Sequence, residues 1–214
     1  MTVSPALLKG GLVLIDSVSS AVQRVIALQY NPDSLNRSFQ VQAVGGESRD
    51  RSEALRLKGP PVETIKLDAE IDATDLLDQG DNTAATLGIH AQIAALETVI
   101  YPTSRQLRAN DSLQSSGTLE ILPMEAPLTL FVWSKTRILP VRITDLSVTE
   151  EAFDPNLNPI RAKVSLGMRV LSVDDVGFQH KGGELFMGYL QRKEALAAMV
   201  LDRGLTRLGL DAIP

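Results

Sequence analysis

From Val62 to Thr74 apolar and polar side chains alternate: Ile65, Leu67, Ala69 and Ile71 share one parity, Lys66, Asp68, Glu70 and Asp72 the other. A period of two over this length describes a strand with one packed face and one wet face. Further strands are expected at Leu12 to Asp16, Val22 to Tyr30, Phe39 to Val44, Leu128 to Trp133, Ile138 to Thr149 and Arg161 to Leu166. Asn31-Pro32-Asp33-Ser34 breaks the second from the third, and Phe153 to Pro159, with two prolines and two asparagines, makes a turn before the last.

Helical spacing occurs twice. Asp81, Asn82 and Thr83 supply capping side chains, Ile89, Ile93, Leu96 and Ile100 follow at intervals of four, three and four, and Pro102 stops the run. A second helix is expected from about Gly183 to Val200, punctuated by Gly204. Residues 45–61, with paired glycines, mixed charges and Gly59-Pro60-Pro61, read as a long exposed excursion. Strands on both sides of a single central helix, without strand–helix alternation, oppose a doubly wound parallel sheet. The expected class is α+β: an antiparallel β-rich body, one packed central helix and a helical C-terminal tail.

The 214 residues suffice for one domain or one and a half. Lys and Arg number 21 against 26 Asp and Glu, a net charge of −5, which opposes nucleic-acid binding through a positive field. With no cysteine, disulfides, thiolate metal sites and cysteine nucleophiles are excluded. Apolar runs are far shorter than the roughly 20 residues of a membrane span, so no direct membrane insertion is expected. Met1 to Lys9 lacks the pattern of a secretion signal, and synthesis and assembly in the cytoplasm are the expectation.

Candidate chemistry is sparse. His90 falls on the polar edge of the first helix and His180 in a Gln-His-Lys-Gly-Gly linker, neither beside a second metal ligand. Asp68, Glu70, Asp72, Asp75, Asp78 and Asp81 form the densest acidic cluster. Counted as a calcium loop from Asp68, it places Ala73 and Gln79 where glycine and glutamate are required. It reads instead as a wet strand face leading to a helix N-terminus, where carboxylates are favoured. Glycine-rich phosphate loops and Gly-x-Ser-x-Gly are absent. No enzymatic activity, cofactor or metal is expected. Phe131 and Trp133 share a strand face and are expected to anchor the core.

Four blocks resemble one family. Tyr30-Asn31-Pro32 followed by Ser34-Leu35 resembles an early aromatic-Asn-Pro signature of the tube-like domain of contractile injection system proteins. Glu63 to Thr74 is similar to its next strand, ending at Asp72 and Thr74, and Pro127 to Trp133 resembles its proline-led strand ending in tryptophan. Phe153-Asp154 with Pro159-Ile160-Arg161-Ala162 resembles its hairpin. Together they cover about residues 10 to 173. Ser134 and Asn158 stand where the family usually has glycine, and the peptidoglycan-binding LysM module of many relatives has no counterpart here. Asn158 is expected to supply the permissive, left-handed backbone of the turn.

The resemblance implies an antiparallel β-barrel or sandwich of the phage tail-tube type at 1–175, with a helical extension at 176–214. It implies a structural baseplate component: a homo-oligomeric, hexameric ring joining the inner-tube protein to the spike or hub protein, beside other baseplate subunits of a phage-tail-like particle. The alternatives are a repeating inner-tube subunit and, in a different class, a ligand-binding β-barrel. Tyr30, Asn31, Pro32, Asp72, Trp133, Phe153, Asn158, Pro159 and Arg161 are the motif residues. Lys66, Asp68, Glu70 and Asp72 are expected to line an aqueous lumen or an inter-ring surface.

Overall fold

The computed structural model describes residues 8–43, 56–78, 80–115, 126–200 and 210–211. Seven strands run β1 (Gly11–Ile15), β2 (Val22–Ala27), β3 (Asn36–Gln40), β4 (Val62–Asp72), β5 (Leu128–Ser134), β6 (Arg137–Phe153) and β7 (Pro159–Val170). Four helices, α1 (Thr74–Asp78), α2 (Asn82–Leu87), α3 (His90–Glu97) and α4 (Ser104–Ser115), separate β4 from β5, and α5 (Val173–Val176) and α6 (Lys181–Ala198) follow β7.

One antiparallel sheet holds all seven strands in the order β2-β1-β5-β6-β7-β4-β3. Among the described residues the sheet does not close into a barrel: β2 and β3 are its two edges, and no ladder joins them. β3 stops pairing with β4 at Lys66. At the far end of β4 the Gln29 side chain stands in for a strand, its Oε1 accepting from the Asp72 N–H at 2.9 Å and its Nε2 donating to the Asp72 carbonyl at 2.8 Å.

β4 follows its alternation, with Ile65, Leu67 and Ile71 buried and Lys66, Asp68 and Glu70 exposed. Its inward side chains meet Val164, Leu166 and Met168 of β7, Leu139 and Val141 of β6, Phe131 of β5 and Leu12 of β1 in the main core. α3 and its N-cap add Ile89, Ile93 and Leu96, and α6 adds Phe186 and Tyr189, so the C-terminal helix packs into the same core as the sheet. A smaller cluster joins Ile15, Leu128 and Leu130 to Leu185 of α6.

The single central helix is replaced by four. Gly88 ends α2 ahead of the Ile89–Ile100 periodicity at φ +58°, where a Cβ would collide with the Pro159 carbonyl. The expected capping is present, Asp81 accepting from the N–H groups of Thr83 and Ala84. The third strand begins at Asn36 and ends at Gln40 rather than running from Phe39 to Val44; Val44 lies outside the described residues. Of the excursion at 45–61, residues 45–55 lie outside them as well, while Ala43 and Leu57 bridge its base. Met1 to residue 7, Gln79 and Gly204 are likewise outside. Gly182 and Gly183 form the first turn of α6, not a linker, and His180 caps it, Nδ1 accepting from the Gly182 N–H at 3.0 Å.

Candidate functional site

Most of the motif residues gather at one end of the sheet. Asp72, only 7% exposed, closes β4. Its Oδ1 accepts from the Thr74 N–H at 2.8 Å and from the Thr74 hydroxyl, while Oδ2 accepts from Nε of Arg161 on β7 at 2.8 Å. The Thr74 hydroxyl and N–H, then Arg161, hold the Asp72 carboxyl below its ordinary value against the opposing effect of burial. Asp72 thus keeps the parity of Lys66, Asp68 and Glu70 and shares Arg161 with Glu70, but it is enclosed where those three are exposed. A carboxylate enclosed by three donors ties β4 to β7 and to α1.

Around this knot Tyr30 donates its hydroxyl to Asp75 at 2.8 Å. Asn31 fastens the approach to β1, its Oδ1 accepting from Gly10 N–H at 2.9 Å and its Nδ2 donating to the Leu8 carbonyl at 2.8 Å. Pro32 continues that loop along one wall of a polar cleft, facing Asp68, Glu70, Thr149 and Lys163. Pro159, at the start of β7, is buried and accepts the Ile89 N–H at 2.9 Å.

Asn158 does not occupy the left-handed region; Ala152 (φ 53°) and Leu157 (φ 65°) do. Asn158 acts through its side chain instead. Nδ2 donates to Asp154 Oδ2 at 2.8 Å and to the Thr86 carbonyl at 3.1 Å, so the hairpin tip is bound to α2. Phe153 pairs with Pro159 across the hairpin base, yet its side chain is 50% exposed. Phe131 is fully buried, whereas Trp133 is half-buried, its ring stacked on Phe131 with centroids 5.9 Å apart.

On the wet face, strand register lines up rows of side chains across β4, β7 and β6: Lys66 with Gly167 and Asp145, Asp68 with Ser165 and Ser147, and Glu70 with Lys163 and Thr149. Lys163 pairs with Glu151 at 2.9 Å and Arg161 reaches Glu70 at 3.4 Å. The band is polar and mixed in sign, with carboxylates in excess.

Two strand edges bound this band. β5 accompanies β6 only as far as Val141, so from Arg142 to Phe153 β6 has β7 alone as a strand neighbour among the described residues. On the opposite side, β3 pairs only with β4 among the described residues, and Phe39 and Val41 are exposed.

A charged cluster that the alternation hides lies at the other end of β4. Glu63 shares parity with Ile65 and is 4% exposed. Its carboxylate receives Arg37 Nη2 at 2.6 Å, the Tyr189 hydroxyl at 3.2 Å and Lys193 Nζ at 3.1 Å. Arg37 and Lys193 also lie over the Phe39 ring, 5.0 and 5.1 Å from its centroid. A lone charged residue on an apolar face was the only signal of this cluster in the sequence.

Residues 15–174 match the family model of the contractile injection system tube protein. The chain belongs to that family. The family is one of structural tube proteins, and the chain is accordingly a structural component of a phage-tail-like particle. Among solved structures, this tube-family chain is similar to a chain in the tail of an empty gene transfer agent particle refined with C6 symmetry, at 16% identity, TM-score 0.28, and coverage of 75% of this chain and 90% of that one. A chain in the virion of the native gene transfer agent particle gives 16%, 0.26, 74% and 90%. No curated protein matches. No helix among the described residues of this tube-family protein is long and apolar enough to cross a membrane.

Proposed function

We propose that the chain forms a closed ring of six that joins the inner tube to the spike hub of a contractile injection system, in contact with the tube protein, the hub protein and other baseplate subunits. The observation that carries the ring is the pair of unpaired edges, β3 on one side of the β3-β4-β7-β6 group and Arg142–Phe153 of β6 on the other. An unpaired strand edge presents a row of free N–H and C=O groups, and pairing two different edges of identical subunits is a heterologous contact that closes when its rotation allows. The β4–β7–β6 band would then face an aqueous channel, consistent with its polar side chains. In this scheme residues 1–175 supply the tube-like wall, and 176–214 distinguish this ring from its neighbours in the stack.

The tube family itself favours a second reading, in which the same edges build the repeating inner tube. Cryo-EM of native particles, combined with copy-number mass spectrometry, separates the two. Six copies at the tube–spike junction support the adaptor, a copy number that scales with tube length supports the repeating subunit, and a monomer in the particle overturns both.

A further inference from the structure

Each free edge carries backbone groups of one parity, because successive residues of an antiparallel ladder turn their N–H and C=O to alternate sides. The Asp72 N–H and carbonyl bond the Gln29 side chain, while the Ala73 N–H bonds the Ile160 carbonyl of β7, so the even-numbered residues of β4 turn toward β3. Their partners Asn36, Ser38 and Gln40 turn back to β4, which leaves the backbone groups of Arg37 and Phe39 on the open side. On β7 the Ile160 carbonyl turns to β4, and just past the strand the Leu171 N–H turns to the Pro140 carbonyl of β6. Asp145, Ser147 and Thr149 therefore bond the odd-numbered residues of β7, and Leu146, Val148 and Glu150 hold the free groups of β6.

Both sets share the dry parity of the sheet, Arg37 and Phe39 opposite Ile65 and Glu63, Leu146 and Val148 opposite Leu166 and Val164. Phe39 is nevertheless 47% exposed, and Val41, the next residue of its parity, 64%. Arg37 and Lys193 share Glu63 as their one carboxylate among the described residues, which leaves a surplus positive charge beside Phe39. Glu150 is exposed and has no ion-pair partner among those residues. β6, β7, β4 and β3 alternate in direction, and a rotation that carries one such group onto the next continues the alternation, so β3 of one copy meets β6 of its neighbour antiparallel.

We propose that copies of the chain join in one register, with Arg37 opposite Glu150, Phe39 opposite Val148 and Val41 opposite Leu146 of the neighbour. This register rests on the six-copy ring and specifies its seam. Apolar pairs and an opposite-charge pair then face each other on the dry side, and Gln40 meets Ser147 and Ser38 meets Thr149 on the wet side. A slip of one residue would turn dry side chains into the channel. A slip of two residues one way sets Phe39 against Glu150 and Arg37 against Ala152, whose φ of 53° departs from strand geometry. A slip of two the other way sets Val41 against Thr144, the extra residue of the β6 bulge, and leaves Glu150 without its cation.

The chain has no cysteine, so introduced pairs report the register without background. Ser38 and Thr149 would form a non-hydrogen-bonded pair, whose Cα atoms lie about 4.5 Å apart in such ladders, within disulfide reach. Within one copy they are three strand spacings apart, about 14 Å, too far to link. Ser38→Cys with Thr149→Cys is expected, on oxidation, to link copies covalently up to six, and Ser38→Cys with Ser147→Cys or with Glu151→Cys to link few. Glu150→Lys is expected to leave the melt of the free chain unchanged and to raise the concentration at which rings form about tenfold. Native mass spectrometry of the unaltered chain separates the ring from its register. Six copies with linkage through 147 or 151, with no linkage, or with assembly indifferent to Glu150→Lys overturn the register alone, and absence of any ring overturns both.

Discussion

Lys193 on α6 places its Nζ 3.1 Å from Oε2 of Glu63 on β4, across 130 residues of sequence. With the Tyr189 hydroxyl and Arg37 on the same carboxylate, one inward-facing acid joins the C-terminal helix to the edge hairpin β3–β4. Replacing Glu63 by Leu leaves Arg37 and Lys193 without their counter-ion. A loss of about 1–3 kcal/mol is expected, with Lys193→Met costing less because that ammonium is one-third exposed. Urea denaturation of the three proteins measures it; equal stabilities would show that α6 is held by Phe186 and its apolar neighbours alone.

Asp72 sets part of the acid sensitivity. Its carboxyl is depressed by the Thr74 donors and by Arg161, so its contribution is fully present above the unfolded value of about 4 and is lost as pH falls through the lower folded value. Asp16, Asp81 and Asp154, each accepting backbone N–H bonds, shift in the same direction. Asp72→Asn is expected to cost about 1–3 kcal/mol at pH 7 and to flatten the decline below pH 4. Denaturant midpoints at pH 7, 5 and 3 decide it: parallel curves for the two proteins would remove Asp72 from the acid limb.

Asp68 and Glu70 belong to the water-facing band, and the double replacement Asp68→Asn, Glu70→Gln is expected to shift stability by within about 0.5 kcal/mol. On the proposed ring, its effect is expected on assembly: repulsion among acidic bands should weaken, so ring formation becomes less dependent on salt. Native mass spectrometry across a salt series follows this. Unfolding of the double variant would place these carboxylates in the scaffold.

At the hairpin tip the roles of adjacent residues separate. Leu157 sits at φ 65°, so Leu157→Gly is expected to be neutral or to stabilise by up to about 1 kcal/mol. Asn158→Gly removes bonds to Asp154 and the Thr86 carbonyl and is expected to cost about 1 kcal/mol. Thermal melts that rank the two variants the other way round would return the left-handed position to Asn158.

Trp133→Ala is expected to cost about 2 kcal/mol, below the roughly 3–5 of a fully buried aromatic, because only part of the ring is covered. A larger loss in the assembled particle than in the free chain would show that a neighbour covers the remainder.

β4 and β7 were legible because one parity is dry and the other wet, as Lys66 and Leu67 illustrate, whereas the edge strands β2 and β3 are exposed at nearly every position. α4 was not legible: Ser104–Ser115 buries none of its residues, so no apolar stripe marks it. Gly88 split the expected helix for a reason found only in three dimensions, the close approach of the Pro159 carbonyl. Glu63 and Asp72 show the same limit in opposite senses. Alternation assigned Asp72 to water and gave Glu63 no role, while partners 89 and 126 residues away in sequence, Arg161 and Tyr189, decide where each lies.

The order in which strands are synthesised differs from the order in which they pair. β1 waits for β5, and β4 gains its long partner only when Pro159–Val170 has left the ribosome. A nascent chain stopped before β7 therefore leaves Leu67–Asp72 of β4 and Arg142–Phe153 of β6 without a strand partner among the described residues. On the proposed ring, subunits would become competent to join neighbours only at the end of translation, which would keep incomplete chains out of the growing assembly.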